Sequence, residues 1–237
     1  MILNADVKGL EVVVAAELSK DPILQQELLE GVDIHKANQQ AFGLPSRIIA
    51  KILKFRILYG GTAFSFAKDP DFMECSTSVK YWEEVIEAYY RKYKVLGGWH
   101  NSLIQQAISK GQVMSPFGRV FEYHSKKNWR GETVYPITDI KNYIVQGTGA
   151  DVVAVARVSL AARLSKLKIR GKLISTVHDS IVLDCPEDEV DMLNNIINGV
   201  FVDLRKNIQK AYGYTWVLPI SVECSVGPNL KDLEEVS

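Results

Sequence analysis

The sequence predicts an α+β protein, an antiparallel sheet with helices packed on it, and three observations carry that expectation. Apolar runs of strand character stand near both ends: Ile2 to Asp6, Lys172 to Val177, Ile181 to Cys185 and Val217 to Gly227. Between them lie long stretches with apolar residues at helical spacing, the longest from Thr138 to Leu167. Strands so far apart in the chain share one sheet only if the helical segments are excursions from it. At 237 residues there is material for one large core or two smaller ones.

Composition narrows the function without naming it. Lys plus Arg and Asp plus Glu are both 28, so no global basic charge announces a polyanion partner, although local basic stretches can do that work. Cys75, Cys185 and Cys224 are odd in number and lack metal-ligand spacing, which reads as reduced thiols and a cytoplasmic protein. No signal peptide follows Met1, and no apolar run reads as a membrane span.

The elements follow in order. Ile2 to Asp6 is a strand ending on a carboxylate, and Val12 to Leu18 continues as a helix. Asp21 caps a helix with Pro22 at its first position, running to Glu30. Ser46 caps the next, which begins at Arg47 and stops at Gly60-Gly61. Thr62 to Lys68 is a short helix before Asp69-Pro70-Asp71. From Ser78 to Tyr93 an amphipathic helix carries Tyr81, Val85, Tyr89 and Tyr93 at helical spacing, a packing stripe. Gly97-Gly98 is expected to separate it from a helix over Trp99 to Lys110. Pro116-Phe117-Gly118 marks a hairpin. Lys126, Lys127 and Arg130 form a basic patch that reads as a solvated loop. Gly147 and Gly149 are expected to interrupt the long helix. Pro186 opens a helix to Tyr212, with Glu187, Asp188 and Glu189 in its first turn as the dipole favours.

Arg47, Lys51, Phe55 and Tyr59 recur every fourth residue and so form one drifting stripe on their helix. Ile48, Ile49, Ile52, Leu53, Ile57 and Leu58 are expected to seat the other faces on a core. An Arg forks onto phosphate oxygens, a Lys adds a point charge, and the rings one turn further on can lie against a base or sugar. Asn142 and Gln146 also lie one turn apart; such amides meet the minor-groove acceptors that every base pair presents in nearly the same place.

The spacing R-x3-K-x3-F-x3-Y-G resembles the nucleotide-binding finger helix of family A DNA polymerases. Asp6-x-x-Gly9-Leu10-Glu11 resembles that family's first motif, with Val13 where an arginine often stands. Asp33-Ile34-His35 resembles its D-I-H segment, Gly118-Arg119 a Gly-Arg pair, and Asn142-x3-Gln146-Gly147-Thr148-x-Ala150-Asp151 its N-x3-Q-G-T-x-A-D segment. Val177-His178-Asp179 resembles the third motif, with Ser180 where glutamate commonly follows. The resemblance covers essentially the whole chain. It implies an antiparallel palm sheet with an inserted, shortened helical fingers subdomain: palm in residues 1–20, fingers in 21–130, palm again in 131–237.

The implied activity is addition of dNTPs to a primer 3′-hydroxyl by two-metal phosphoryl transfer. Asp6, Asp179 and the Val7 carbonyl would hold two Mg²⁺ ions, with Mn²⁺ as a substitute. Arg47, Lys51 and His35 would neutralise the triphosphate, and Lys51 would protonate the departing pyrophosphate. Phe55, Tyr59 and Glu11 would shape the base and sugar pocket, with Glu11 beneath the 2′ position. Asn142, Gln146, His178 and Arg119 would meet primer–template DNA. Rival readings are a single-subunit RNA polymerase and a catalytically retired DNA-binding or assembly subunit; Glu11 and Gln146-Gly147-Thr148 favour DNA synthesis. The family places a thumb, further palm strands and usually an exonuclease-like domain before the first motif. The chain is therefore expected to be a palm-and-fingers half, either an excerpt or the product of a split gene as some phages carry, with a thumb-bearing N-terminal half as partner and Ile2 to Asp6 expected to pair with its strands.

Overall fold

The computed structural model describes residues 1–236. They form two compact units, one of Met1–Val14 with the described part of Gly147–Ser237, the other of Ala15–Gln146.

The first unit is built on a five-stranded antiparallel sheet. Its strands are β1 (Ile2–Val7), β6 (Lys172–Val177), β7 (Ser180–Asp184), β8 (Val222–Gly227) and β9 (Glu234–Glu235), in the order β6-β7-β1-β8-β9. On β1 the period-two pattern buries Leu3, Ala5 and Val7 and turns Asn4 and Asp6 to the opposite face. In-register pairs run Leu3↔Leu183 and Ala5↔Ile181 on one side, Leu3↔Val226 and Ala5↔Cys224 on the other. Strand β1 is thus paired along both edges by strands of this chain, which corrects the expectation that Ile2 to Asp6 awaits a partner's strands. The edges belong to β6 and β9. The strand expected over Val217 to Gly227 starts at Val222, since Pro219, with no N–H, cannot serve a ladder there, and β9 follows it. Helix α9 (Val190–Tyr212) packs on β8 through a stripe of Leu193, Ile197, Val200, Phe201, Leu204 and Ile208. A short 3-10 turn, Glu187–Glu189, precedes it.

Helix α8 (Ile137–Leu167) passes through Gly147 and Gly149 without a break. A Cβ on Gly149 would come within 3.2 Å of Leu10 Cδ2, so this glycine lets α1 (Leu10–Ser19) approach closely. By length and composition α8 is also apolar enough to cross a membrane, which corrects the expectation that no apolar run reads as a membrane span. Of its most apolar window 56% is buried within the protein, as a core helix requires.

The second unit is mostly helical: α2 (Pro22–Leu29), α3 (Ile34–Ala41), α4 (Arg47–Leu58), α5 (Ala63–Lys68), α6 (Val79–Lys92) and α7 (Lys94–Lys110). Two hairpins follow, β2 (Gln112–Met114) with β3 (Val120–Glu122), and β4 (Lys126–Lys127) with β5 (Thr133–Val134). Phe66, Phe72 and Trp82 form an aromatic core with centroids 5.0 to 5.6 Å apart. Tyr89 and Tyr93 are buried, so the α6 stripe is packing. Gly97 does not end a helix. Helix α7 begins at Lys94, where Asp21 receives the Val95 and Leu96 N–H groups, and a Cβ on Gly97 would lie 3.0 Å from Tyr90 Cδ1. The glycine serves close packing of α7 on α6.

Candidate functional site

In the first unit the sheet gathers acids around Asp6. Its in-register neighbours are Ser180 on β7 and Glu223 on β8, so the three side chains rise from one face. Asp179 sits in the turn between β6 and β7, and its carbonyl accepts the Val7 N–H at 3.3 Å, tying the turn to β1 beside Asp6. Burial raises the Asp6 carboxyl above its ordinary range, and the charges of Asp179, Glu223 and Glu11 raise it further. Lys8, two residues along the same face, pairs with Glu223 at 2.9 Å. Ser180 donates its hydroxyl to the Val177 carbonyl at 2.9 Å. His178 is exposed at the tip with φ 54°, a conformation unfavourable for a residue with a Cβ.

This donor set fits a hard divalent cation. Like charges converge on a partly buried carboxylate, and every donor is oxygen. Among the described residues no three His, Cys, Asp or Glu side chains are grouped to hold a metal by themselves. Mg²⁺ is usually held by one or two carboxylates with substrate phosphates completing its shell, which suits a pair such as Asp6 and Asp179.

In the second unit α3 and α4 pack together and assemble the cationic stripe. Ser46 caps α4 through a 3.2 Å bond from the Ile49 N–H. The core face is Ala50, Leu53, Lys54, Ile57 and Leu58, whereas Ile48, expected on the core, is 66% exposed. Arg47 and Lys51 are exposed; Phe55 and Tyr59 are half-buried with centroids 6.5 Å apart. His35 reaches the same place from α3, its ring 6.4 Å from Phe55. Its pKa is depressed to about 4, by burial first and then by Lys54, Arg47 and Lys51, with Asp33 opposing. His35 Nδ1 is buried without a hydrogen-bond partner among the described residues. Lys54, Arg47 and Lys51 lie close enough to the ring to favour an anion there.

Sequence reasoning placed Asp33 in a motif but missed its role, and missed Lys54 altogether. Asp33 caps α3, accepting the His35 and Lys36 N–H groups at 3.1 Å each, and holds Arg47 Nε at 2.7 Å. That hydrogen bond from Arg47 holds the Asp33 carboxyl below its usual range, with the Lys36 N–H adding to it. Its place before Ile34-His35-Lys36 was a cap signal. Lys54 is buried at 3% exposure with its amine 4.8 Å from the Phe55 centroid. A lysine in register with Leu53 and Ile57 was the available clue.

Asn142 and Gln146 fall one turn apart on α8, Gln146 exposed, Asn142 with its Oδ1 buried and unpaired among the described residues. Arg119 is exposed at the β2–β3 turn, where its N–H donates to Ser115 Oγ at 3.1 Å. Of the expected residues, Asp6, Val7, Glu11, His178 and Asp179 belong to the first unit, and His35, Arg47, Lys51, Phe55 and Tyr59 to the second.

Comparisons with known proteins bear on these groupings. A family model described as DNA polymerase family A matches residues 1–232. DNA polymerase I of Aquifex aeolicus is 26% identical over 230 residues, 92% of this chain and 37% of that protein. The thermostable DNA polymerase I of Thermus filiformis is 29% identical over 237 residues, 96% of this chain and 26% of that protein. The chain therefore spans about a quarter to just over a third of these relatives. In structure it is similar to the POL domain of Pol1 from M. smegmatis, solved in complex with DNA primer-template and dNTP. That match has a TM-score of 0.75 at 21% identity and covers 94% of this chain and 39% of that one.

Proposed function

Because the chain belongs to DNA polymerase family A, we propose that it is the catalytic palm-and-fingers portion of a template-directed DNA polymerase, extending a primer 3′-hydroxyl with dNTPs. The observation that carries this is the register of β1, which sets Asp6 beside the Asp179 turn on one sheet face. Asp6 and Asp179, with the Val7 carbonyl, would hold the divalent cations. Bound there, Mg²⁺, or Mn²⁺ in its place, would supply charge neutralisation for phosphoryl transfer. Arg47 and Lys51 grip the triphosphate, Arg47 exchanging Asp33 for phosphate. A pair exposed to this degree is worth about 0–1 kcal/mol and yields easily. Neutral His35 donates a hydrogen bond to the triphosphate, and Lys51 returns a proton to pyrophosphate. Phe55 and Tyr59 offer ring faces to base and sugar, and Glu11 crowds a 2′-hydroxyl. Asn142, Gln146, Arg119 and His178 contact primer–template.

The reading includes a thumb-bearing N-terminal half as partner, as the resemblance to the family implies. Three free thiols accord with a cytoplasmic location. The test is Mg²⁺-dependent primer extension by the chain together with such a half, with Asp179→Asn as control. Extension should require both parts and vanish in the variant. A variant within about tenfold of the parent would remove Asp179 from the reacting centre.

A further inference from the structure

The hairpin of β4 and β5 presents a feature that the proposed chemistry does not use. Its loop places Trp129 at the tip with 86% of its surface exposed, where an indole is rarely left. Arg130 stacks beside it, guanidinium carbon 4.4 Å from the ring. Lys126 and Lys127 line the stem, paired in register with Val134 and Thr133.

Neither Trp129 nor Arg130 holds the loop together. Asn128 does so: its Oδ1 accepts the Arg130 N–H at 2.9 Å and the Glu132 N–H at 3.0 Å, and its Nδ2 donates to Glu132 Oε2 at 2.8 Å. Backbone bonds from Asn128 to Glu132 and from Gly131 to Asn128 close the turn, with Gly131 at φ 77° as a three-residue loop requires. Glu132, the nearby acid, is thus occupied in fixing the turn. The tip is a braced platform offering one aromatic face, one guanidinium plane and two lysines. It leads within a few residues into α8, which carries Asn142 and Gln146.

We infer that this hairpin is a binding site for single-stranded nucleic acid, a base stacking on Trp129 and the flanking phosphates meeting Arg130, Lys126 and Lys127. The ligand class rests on the polymerase reading; the site is separate from the reacting groups. Its physical logic is sequence tolerance, since every base has a stacking face and every nucleotide a phosphate.

The full chain tests this by its own fluorescence. Trp82 and Trp216 are buried and Trp99 is half-buried, so Trp129 dominates the solvent-accessible emission. Oligothymidylate should quench it, and an overhang-free duplex should not. Trp129→Ala should weaken oligothymidylate binding about tenfold or more, and Trp129→Phe should retain affinity while losing the quench. The doubly substituted Lys126→Ala/Lys127→Ala should flatten the salt dependence. Unfolding midpoints should match the parent, because Asn128 keeps the turn. Trp129→Ala affinity within about twofold of the parent, or equal quenching by blunt duplex, would overturn the inference. Primer extension separates the two readings. Quenching without extension in any arm refutes the polymerase and leaves the hairpin standing; extension with unaltered Trp129→Ala affinity does the reverse.

Discussion

Replacing Asp21 should destabilise the helical unit more than any exposed substitution, because one buried carboxylate caps two helices. Asp21 is 1% exposed. Its Oδ1 accepts the N–H groups of Ile23 and Leu24 at 3.1 and 3.0 Å, starting α2. Its Oδ2 accepts those of Val95 and Leu96 at 2.9 and 3.0 Å, starting α7, whose own preceding residue Tyr93 supplies no side-chain cap. Losing an N-cap costs about 1 kcal/mol. A buried N–H left without a partner adds about 1–3 kcal/mol, and the Leu24 and Leu96 groups lie in the interior. Asp21→Ala should therefore cost about 3–4 kcal/mol, read by urea unfolding followed through far-UV circular dichroism, and lower the midpoint by about 10 °C. Asp21→Asn keeps one oxygen for one helix and turns an NH₂ toward the other's donors, so it should fall between, at about 2 kcal/mol. An alanine variant within about 1 kcal/mol of the parent, or asparagine indistinguishable from aspartate, would refute the double-cap account.

His178→Gly should separate stability from activity. Relief of the positive φ, offset by the chain entropy of glycine, favours folding by about 0.5 kcal/mol, while primer extension should fall; a variant that unfolds more easily would contradict the strain argument. His35 should titrate near 4 by NMR of its ring, against 6.5 when unfolded. The depressed value means the folded state resists a proton the unfolded state takes up, so stability from this site is intact above 6.5 and is lost as pH falls toward 4. Adding a nucleoside triphosphate should raise that pKa, and a value unmoved by ligand would place the phosphates elsewhere. Glu11→Ala should raise ribonucleotide incorporation relative to deoxyribonucleotide, and Phe55→Tyr should ease dideoxynucleotide entry. Unchanged selectivity in both, measured by single-nucleotide incorporation, would mean that the sugar pocket is misplaced.

The strands and helices that follow from local chemistry were legible in the sequence. Asp21-Pro22 and Ser46-Arg47 each announced a helix start, and both side chains cap as expected. Glycine was the least legible signal. Gly97, Gly147 and Gly149 cost helix propensity in any local account, and so read as breaks. Their helices continue because tertiary contact outweighs propensity at Gly97 and Gly149: Tyr90 closes on the first, Leu10 on the second. Leu10 lies far from Gly149 in sequence, and Tyr90, though near Gly97, belongs to a different helix, so helix propensity registers neither partner. The same limit explains the edge misassigned to β1, since β8 returns to it after more than two hundred residues.

The candidate site divides along the same physical line. Arg47, Lys51, Phe55 and Tyr59 were visible because a helix turns a spacing of four into adjacency, which one sequence can display. Glu223 was invisible because its place beside Asp6 depends on the register of two strands at opposite ends of the chain. That register has a chemical consequence. A strand slipped by one residue would send Glu223 to the buried face and bring Val222 or Cys224 opposite Asp6. The Lys8–Glu223 pair, two residues from Asp6 on the same face, therefore helps to select the pairing that turns the acids outward. Its net contribution is small at such exposure, yet in the slipped alternative Glu223 would be buried without that pair, which is far more costly. The penalty on the wrong register, more than the attraction in the right one, keeps the carboxylates of β1 and β8 on the face where a cation can reach them.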